Sequence, residues 1–352
     1  MNIHCNARWK RNRRSRPTHM AQSSRLSKLF DTLTNELPEG GPILIMRATN
    51  DPAYRRFDTK DVQAVQSFKP SFDALESVGL RPTQDMPASA KAAVVELTRS
   101  KPENLANVAK AYEVLDVGGT LFINGAKTDG IDSILKNVKS KMDVEGSYSK
   151  SHGKTIWVNK AAVDNPFKEW AALTDMSQNK DGFWTVPGIF SADAIDPASA
   201  LLCDSITVPL KGKGADLGAG WGYLSQNALL AYPEITSLDL FEAEKNSLVC
   251  AQKNIRDERA RFHWTDVQSM PEKGAYDFII MNPPFHVSRK ADVSLGRDFI
   301  AKASKLLAPK GRLWMVANKQ LAYEAVLDAN FNTWSYEEQT PIFKVIHARR
   351  PK

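Results

Sequence analysis

The stretch that decides the fold is Asp277-Phe278-Ile279-Ile280-Met281-Asn282-Pro283-Pro284-Phe285-His286. Its apolar first half has the pattern of a short buried strand in a parallel sheet that is covered on both faces. Two consecutive prolines end that strand, because neither can donate to a sheet ladder and each restricts the residue before it. The sequence therefore predicts a rigid loop at the carboxyl end of a strand, where open α/β sheets bind ligands.

The predicted loop offers three groups that together suit a planar amino group. The Asn282 side-chain oxygen and the Pro283 carbonyl can each accept an N–H hydrogen bond, and Phe285 can stack on the ring that carries the amine. Two acceptors favour the pyramidal nitrogen and orient its lone pair toward an electrophile. The alternative is a Pro-Pro loop that merely ends a strand.

Composition and charge favour an ordinary two-domain chain. The 352 residues are 42% hydrophobic, which is enough for packed cores, and no apolar run approaches the length of a membrane span. The three cysteines (Cys5, Cys203 and Cys250) have neither metal-ligand spacing nor a disulfide pattern, so we expect a reducing, cytoplasmic location.

The net charge of +7 comes almost entirely from the first 19 residues, which hold six Arg or Lys and no acid. The rest of the chain carries 41 basic and 40 acidic residues, so its charge does not argue for nucleic acid. The basic extension, 1–20, is expected to be disordered. It is an RNA-binding arm, a transit peptide or a non-native extension with the true start at Met20; the last is preferred, because a methionine follows a stretch without clear helical periodicity.

The first half, 21–165, alternates strands and helices. We expect strands at 42–46, 92–97, 120–125 and 154–159, and helices at 102–115 and 131–138. Such alternation is typical of a parallel α/β sheet. This half has no Gly-x-Gly-x-Gly and no Asn-Pro-Pro, since Thr98-Arg99-Ser100-Lys101 follows its second predicted strand. We therefore assign it no small-molecule chemistry.

An internal repeat links the two halves. Residues 109–127 read AKAYEVLDVGGTLFINGAK, and residues 301–319 read AKASKLLAPKGRLWMVANK. Both are expected to form a helix, a glycine turn and a strand, which suggests one duplicated fold; shared periodicity without common origin is the alternative. In the second copy the segment before this helix is longer, and the added length, 283–295, lies where substrate is expected.

The second half opens with an apolar entry segment, 182–190, which we expect to pack across the open end of the domain. It continues with Gly214-Ala215-Asp216-Leu217-Gly218-Ala219-Gly220-Trp221-Gly222 and a helical run, the pattern of strand, glycine loop and helix. Glycines let the backbone approach a ligand closely and leave amide N–H groups facing it. Since no Lys-Ser/Thr follows, the loop is not a phosphate-binding P-loop.

Acidic residues follow the next two predicted strands. Glu242 ends the strand at 235–241, about 20 residues beyond the glycines, where an acid accepts hydrogen bonds from ribose hydroxyls. Asp239 competes for this role, but Glu242 is preferred because the predicted helix 243–255 starts directly after it. Asp266, after the strand 261–264, either accepts the adenine amino group or caps a turn. A nucleoside-containing cofactor lying across these strand ends would meet Asn282.

The glycine loop together with Asn282-Pro283-Pro284-Phe285-His286 resembles class I S-adenosylmethionine-dependent methyltransferases that methylate amino groups. More narrowly, the chain from about Met20 is similar to the bacterial ribosomal RNA guanine-N2 methyltransferases of the RsmC/RlmG-like group, including at 125–130, 316–318 and 343–345. The resemblance implies an α/β fold with two tandem Rossmann-like class I methyltransferase domains, the N-terminal one degenerate. Many members have cysteine where this chain has Ala219, but both residues are small.

The resemblance also assigns the site and the limits of the domains. The cofactor is expected to be S-adenosylmethionine, with no metal. The expected cofactor-binding residues are Asp216, Gly218, Ala219, Gly220, Gly222, Glu242 and Asp266, and the expected catalytic residues are Asn282, Pro283, Pro284 and Phe285. The degenerate domain is placed at 21–165, a linker at 166–182 and the catalytic domain at 183–352.

The implied activity is methyl transfer to the exocyclic N2 amine of a guanine in ribosomal RNA, with the small subunit favoured. The base must leave its stack to enter, and the first domain, the tail and the loop 288–290 are expected to bind RNA. His286 either contacts substrate or is structural. The partner is ribosomal RNA or a ribosomal subunit, with no membrane, and the chain is expected to be a monomer.

Two alternatives remain open. An Asn-Pro-Pro-aromatic loop also suits adenine N6 amines and protein glutamine amides, although those relatives more often carry Tyr at the position of Phe285. The second alternative is a non-enzymatic RNA-binding or ribosome assembly protein with a vestigial site. The intact glycines, Glu242 and Asn282-Pro283-Pro284-Phe285 argue against it.

Overall fold

The computed structural model describes residues 24–33, 37–284 and 293–352. In these ranges the chain forms two large mixed sheets, one after the other, each with an apolar core on both faces. The expected α/β fold with two Rossmann-like domains is confirmed. The basic extension at 1–20 lies outside the described residues. No helix in the described ranges is both long and apolar enough to cross a bilayer.

The first sheet is built from residues 43–159. Its strands are Ile43–Met46 (β1), Val62–Val65 (β2), Ala90–Glu96 (β3), Leu115–Ala126 (β4), Gly146–Lys150 (β5) and Gly153–Asn159 (β6). Its helices are Arg25–Thr32 (α1), Lys69–Ser77 (α2), Lys101–Val114 (α3) and Ile131–Lys139 (α4). Helix α3 begins where the sequence predicts: the Ser100 side chain accepts from the Glu103 N–H at 3.3 Å, and Pro102 lies in the first turn.

The strand order of the first sheet is β2-β1-β3-β4-β6-β5. Strands β2, β1, β3 and β4 are parallel, as predicted. The expectation of a parallel sheet is wrong for the last strand, because β6 runs antiparallel to both β4 and β5. The reason is local: Ser151 and His152 adopt φ of 50° and 55° in a tight turn between β5 and β6, and strands joined by such a turn form an antiparallel hairpin.

The second sheet follows a small hairpin made by Ser177–Gln178 (β7) and Trp184–Thr185 (β8). Its strands are Gly212–Leu217 (β9), Ile235–Glu242 (β10), Ala260–Trp264 (β11), Tyr276–Met281 (β12), Leu307–Asn318 (β13), Phe331–Gln339 (β14) and Phe343–Pro351 (β15). The helices around it are Pro197–Asp204 (α5), Tyr223–Ala231 (α6), Lys245–Asn254 (α7), Val293–Leu306 (α8) and Glu324–Asn330 (α9). The order is β11-β10-β9-β12-β13-β15-β14, with the first five strands parallel.

The internal repeat is visible in three dimensions. Helix α3 and strand β4 match helix α8 and strand β13 in length and in aligned position. Each pair is joined through the same tight turn: a Cβ on Gly119 would lie 2.7 Å from the Lys91 carbonyl oxygen, and one on Gly311 would lie 2.9 Å from that of Tyr276. The first sheet therefore has the strand order of the second without the edge strand β11.

The segment predicted as a linker, 166–182, makes contacts with both halves. Phe167 and Trp170 are buried in the core of the first half, and their rings stack with centroids 4.7 Å apart. In the same segment Asp181 contacts the second half, because its Oδ2 accepts from the Ile195 N–H at 2.7 Å. The segment thus carries side chains that anchor the connection at both ends.

The two halves meet beside the carboxyl end of β10. The Lys69 N–H donates to the Ala243 carbonyl at 2.8 Å, and the Lys245 N–H donates to the Ser67 carbonyl at 2.9 Å. Arg47 forms an ion pair with Glu244 at 3.0 Å. Trp264 Nε1 donates to both the Ser67 and Ala243 carbonyls. The first half is thereby attached to the loop that follows Glu242.

Candidate active site

The glycine loop lies between β9 and α6 and needs its glycines for backbone reasons. Gly218, Gly220 and Gly222 have φ of 79°, 56° and 94°, a region that L side chains rarely adopt. No described heavy atom lies within 4 Å of a Cβ built on Gly220. The loop thus exposes bare backbone to open space at the carboxyl edge of the sheet.

The loop is held against the end of β10. The Gly218 and Ala219 N–H groups donate to the Phe241 carbonyl at 2.8 and 3.1 Å. The Gly220 N–H donates to Oε2 of Glu242 at 2.8 Å, and the Glu244 N–H donates to Oε1 of Glu242 at 2.7 Å. Burial raises the pKa of Glu242, although these N–H groups oppose the shift. A carboxylate therefore lies directly beside the glycine loop, where the sequence predicts one.

Asp239, the competing acid, is engaged elsewhere. It is buried and accepts from the Tyr276 hydroxyl and from His263 Nε2, both at 2.9 Å, with Lys213 Nζ at 3.5 Å. Burial favours the neutral acid, but the hydrogen bonds from His263 and Tyr276 outweigh it and lower the pKa of Asp239. This geometry favours Glu242 over Asp239 as the acid available to a ligand.

Asp216 is buried beneath the glycine loop. Its Oδ2 accepts from the Ser225 hydroxyl at 2.7 Å, whereas its Oδ1 has no hydrogen-bond partner among the described residues. Burial, opposed by the bond from Ser225, raises the pKa of Asp216 to about 7. A buried carboxylate oxygen without a partner is costly, so this acid suits a ligand that brings an N–H group or a positive charge nearby.

Asp266 lies just beyond the end of β11 and is half-buried. Its Oδ1 accepts from the Gln268 N–H at 2.9 Å and caps the short 3-10 helix Val267–Ser269. The turn-capping alternative from the sequence is therefore present in the structure. A role for Asp266 in binding the adenine amino group stays a prediction.

Asn282 follows β12 and is oriented by two residues that sequence reasoning missed. Its Nδ2 donates to Asp196 Oδ2 and to Ser199 Oγ, both at 2.9 Å. Asp196 is the N-cap of α5 and Ser199 lies in its first turn. A local signal existed, since Asp followed by Pro is a helix-start pattern, but it does not reveal that the helix start reaches Asn282.

The rest of the predicted loop is only partly described. Pro283 is buried and Pro284 is exposed. Phe285, His286 and the loop 288–290 lie outside the described residues. The catalytic roles assigned to Asn282, Pro283, Pro284 and Phe285 stay predictions.

The entry segment borders the same cavity, as expected. The Phe190 carbonyl accepts from Trp221 Nε1 at 3.1 Å, while the Phe190 side chain is 55% exposed. A pocket lies between this segment, the first turn of α5, the glycine loop and the Asn282 amide. It is lined by Phe190, Ser191, Asp196, Ser199, Gly218, Ala219, Gly220, Trp221, Tyr223, Leu224 and Asn282. The glycine loop and Asn282 therefore border one cavity.

The site combines an exposed backbone surface, which a ligand can approach closely, with one amide side chain of fixed orientation. Within the described ranges, no group of three or more His, Cys, Asp or Glu side chains is placed to hold a metal ion. The pocket combines bare backbone, the Asp196 carboxylate at the start of α5 and the Asn282 side chain. Such a site can hold a nucleoside-like ligand and present an acceptor oxygen to a second molecule.

Comparisons with known proteins agree with this geometry. The family described as methyltransferase small domain matches residues 180–347. A ribosomal RNA small subunit methyltransferase C from Citrobacter koseri is 30% identical over 261 residues, which cover 70% of this chain and 72% of that protein. The protein of the same name from Pseudoalteromonas atlantica is 26% identical over 341 residues, covering 90% of this chain and 97% of its own.

The fold also has a solved counterpart over nearly its whole length. A T. thermophilus 16S rRNA N2 methyltransferase, solved in complex with AdoMet and guanosine, matches with a TM-score of 0.73 at 23% identity. The match covers 92% of each chain. It therefore includes both halves of the fold.

Proposed function

The chain belongs to the ribosomal RNA small subunit methyltransferase C family, and on that basis we propose that it methylates the exocyclic N2 amine of a guanine in ribosomal RNA, with S-adenosylmethionine as the methyl donor. The small ribosomal subunit is the favoured substrate. Support comes from the family, from the names of the relatives and from the pocket between the glycine loop and Asn282.

The residues present fit S-adenosylmethionine. That cofactor supplies, when bound, a methyl group on a positively charged sulfur. Glu242 would accept from the ribose hydroxyls and Asp266 from the adenine amine. The glycine loop would meet the cofactor with bare backbone. The buried Asp216 beneath it has an oxygen with no hydrogen-bond partner in the described part of the chain, which suits a cationic ligand.

The observation that carries the proposal is the orientation of the Asn282 amide. Both hydrogen-bond acceptors of its Nδ2 lie at the start of α5, so its oxygen is directed away from that helix. A target amine can donate one N–H to this oxygen and, as proposed, a second to the Pro283 carbonyl. These bonds orient the nitrogen lone pair. The amine loses its proton after it is methylated, so a strong general base is not required.

The first half has neither the glycine loop nor Asn-Pro-Pro, and we propose for it RNA binding or a structural role instead of catalysis. We propose the division 21–165, 166–182 and 183–352 for the RNA-binding domain, the connection and the catalytic domain. A monomer acting on ribosomal RNA in the cytoplasm accords with these roles. The target base must be unstacked to reach Asn282, and Phe285 is proposed to stack on it.

A test in cells compares ribosomal RNA from a strain that lacks this chain with RNA from the same strain carrying the chain or its Asn282→Ala variant. We expect the deletion to lose one N2-methylguanosine from small-subunit RNA. The unaltered chain should restore it and Asn282→Ala should not. Unchanged N2-methylguanosine in the deletion strain would exclude the proposed function.

A further inference from the structure

We propose that Asp196 and Ser199 are positioning residues that fix the Asn282 amide with its oxygen toward the substrate amine. This inference rests on the proposed function, because it assigns the cause of an orientation that methyl transfer requires. The observation is direct: the two acceptors of Asn282 Nδ2 are the N-cap residue of α5 and a residue of its first turn, at 2.9 Å each.

The chemical argument starts from the symmetry of an amide side chain. The two ends of an asparagine amide have nearly the same size and shape, so packing alone does not select one orientation. A serine hydroxyl does not select one either, because it can donate or accept. A carboxylate can only accept. Asp196 therefore admits the NH2 end of Asn282 and repels its oxygen, which then points the other way.

The first turn of α5 holds the two positioning residues together. The same Oδ2 of Asp196 that accepts from Asn282 also accepts from the Ser199 N–H at 2.8 Å, as the N-cap of α5. Ser199 is 6% exposed. One oxygen thus serves both the helix start and the Asn282 amide, which fixes the position of Asp196 relative to Asn282.

Helix α5 is itself fixed to the sheet that carries Asn282. Its buried residues Ala198 and Leu202 belong to the same core cluster as Trp314 and Val345, from strands β13 and β15. The helix therefore cannot turn away from the edge of the sheet without opening that core. The positioning residues are supported by packing as well as by hydrogen bonds.

The test measures turnover and cofactor affinity separately in purified variants of the full chain. Labelled S-adenosylmethionine is the donor, and small-subunit RNA from cells lacking the chain is the acceptor. For Asp196→Ala we expect turnover to fall about 100-fold, because a misplaced amide no longer holds the amine in line. Cofactor affinity should stay within about twofold, which separates a loss of positioning from a loss of binding.

Two further variants separate positioning from folding. In Asp196→Asn the Ser199 N–H selects the oxygen end of the new amide, so the same oxygen still faces the Asn282 NH2, and turnover should return to within about threefold of the unaltered chain. Ser199→Ala keeps the cap and loses one acceptor, and it should lower turnover about fivefold. Asn332→Ala removes a side-chain hydrogen bond to the Arg350 carbonyl on the edge strand β14 and serves as the matched control, with turnover unchanged.

Two outcomes would overturn the positioning role. One is Asp196→Ala turning over within about twofold of the unaltered chain. The other is Asp196→Asn being as impaired as Asp196→Ala. The proposed function fails differently: the labelled product would then not be N2-methylguanosine.

Discussion

Glu96 occupies, in the first sheet, the register position that Asn282 occupies in the second. Strands β3 and β4 of the first sheet pair at Ala92–Thr120 and Val94–Phe122. Strands β12 and β13 of the second sheet pair at Phe278–Arg312 and Ile280–Trp314. Because β4 and β13 align residue for residue in the repeat, their partners in β3 and β12 align as well. The residue after Val95 in the first half therefore corresponds to the residue after Met281 in the second.

The first half uses this position for a closed polar network. The Tyr54 hydroxyl and Asn124 Nδ2 donate to Glu96 at 2.6 Å each, and Arg25 Nε donates to Asn124 Oδ1 at 2.9 Å. Both Glu96 oxygens are thus engaged within the fold. In the second half the same position holds an amide that lines a pocket. This contrast agrees with a catalytic second half and a non-catalytic first half.

Replacing Asn282 with alanine should lower methyl transfer about 1,000-fold, because the variant loses an acceptor that acts on the reacting nitrogen. Cofactor affinity, measured by calorimetry, should be nearly unchanged. Asn159→Ala is the control, since Asn159 also ends a strand but lies in the first half, where its amide oxygen accepts from Thr120. Equal activity of Asn282→Ala and the control would remove Asn282 from the catalytic site.

Glu242→Gln and Asp239→Asn should separate the two candidate ribose acids. Glu242→Gln is expected to weaken cofactor binding about 30-fold, the cost of losing charge-assisted hydrogen bonds. Asp239→Asn should leave cofactor binding intact and lower the free energy of unfolding by about 2 kcal/mol, because it disturbs bonds from Tyr276 and His263. Calorimetry and denaturant unfolding measure both quantities, and the reverse pattern would assign the ribose to Asp239.

Asp216→Asn should flatten the pH dependence of stability. Burial raises the pKa of Asp216 to about 7 from an ordinary value of 3.8. Between these pH values the unfolded chain has lost the proton that the folded chain keeps, so the free energy of unfolding falls as pH rises and is level above 7. The variant lacks this loss, so its free energy of unfolding should gain about 4 kcal/mol relative to that of the unaltered chain on going from pH 4 to pH 8.

Glu96→Gln provides the matched comparison for that experiment. Burial raises the pKa of Glu96 to about 7, although hydrogen bonds from Tyr54 and Asn124 oppose the shift. In this variant the free energy of unfolding should depend less on pH over the same range. Cofactor binding should stay unchanged, because Glu96 lies in the first half. Asp216→Asn should lose cofactor affinity. A loss of affinity in both variants would argue against placing the cofactor in the second half alone.

Gly220→Ala and Gly222→Ala should differ in which property they damage. Gly220 has open space around its Cβ position, so alanine should cost about 1 kcal/mol of backbone strain and also project into the pocket. A Cβ on Gly222 would lie 2.8 Å from Ile255 Cδ1, and that variant should lose about 3 kcal/mol of stability. Thermal unfolding and cofactor titration check both effects. Equal stability losses would contradict the loop geometry.

Long periodic elements were predictable from the sequence. The predicted helix at 102–115 corresponds to α3, and the predicted strand at 154–159 corresponds to β6. Strand β2, of four residues, and the edge strand β14, rich in polar residues, were not predicted. Their sequences carry little hydrophobic periodicity, and pairing with a neighbouring strand decides their structure.

The site was predictable where its chemistry is local in sequence. The glycine loop and Glu242 lie side by side in the structure, joined by the Gly220 N–H. Asp196 and Ser199 escaped prediction because they lie 86 and 83 residues from Asn282. Only the packing of α5 on the sheet brings them together, and no spacing along the chain records such a contact.

The most direct measurement incubates the purified chain with labelled S-adenosylmethionine and either ribosomal RNA or small subunits from cells that lack it, followed by nucleoside analysis. We predict that the label appears in N2-methylguanosine. Label in methyladenosine or in protein would contradict the proposed substrate while retaining the methyl donor. No transfer and no cofactor binding would contradict the proposed enzyme altogether.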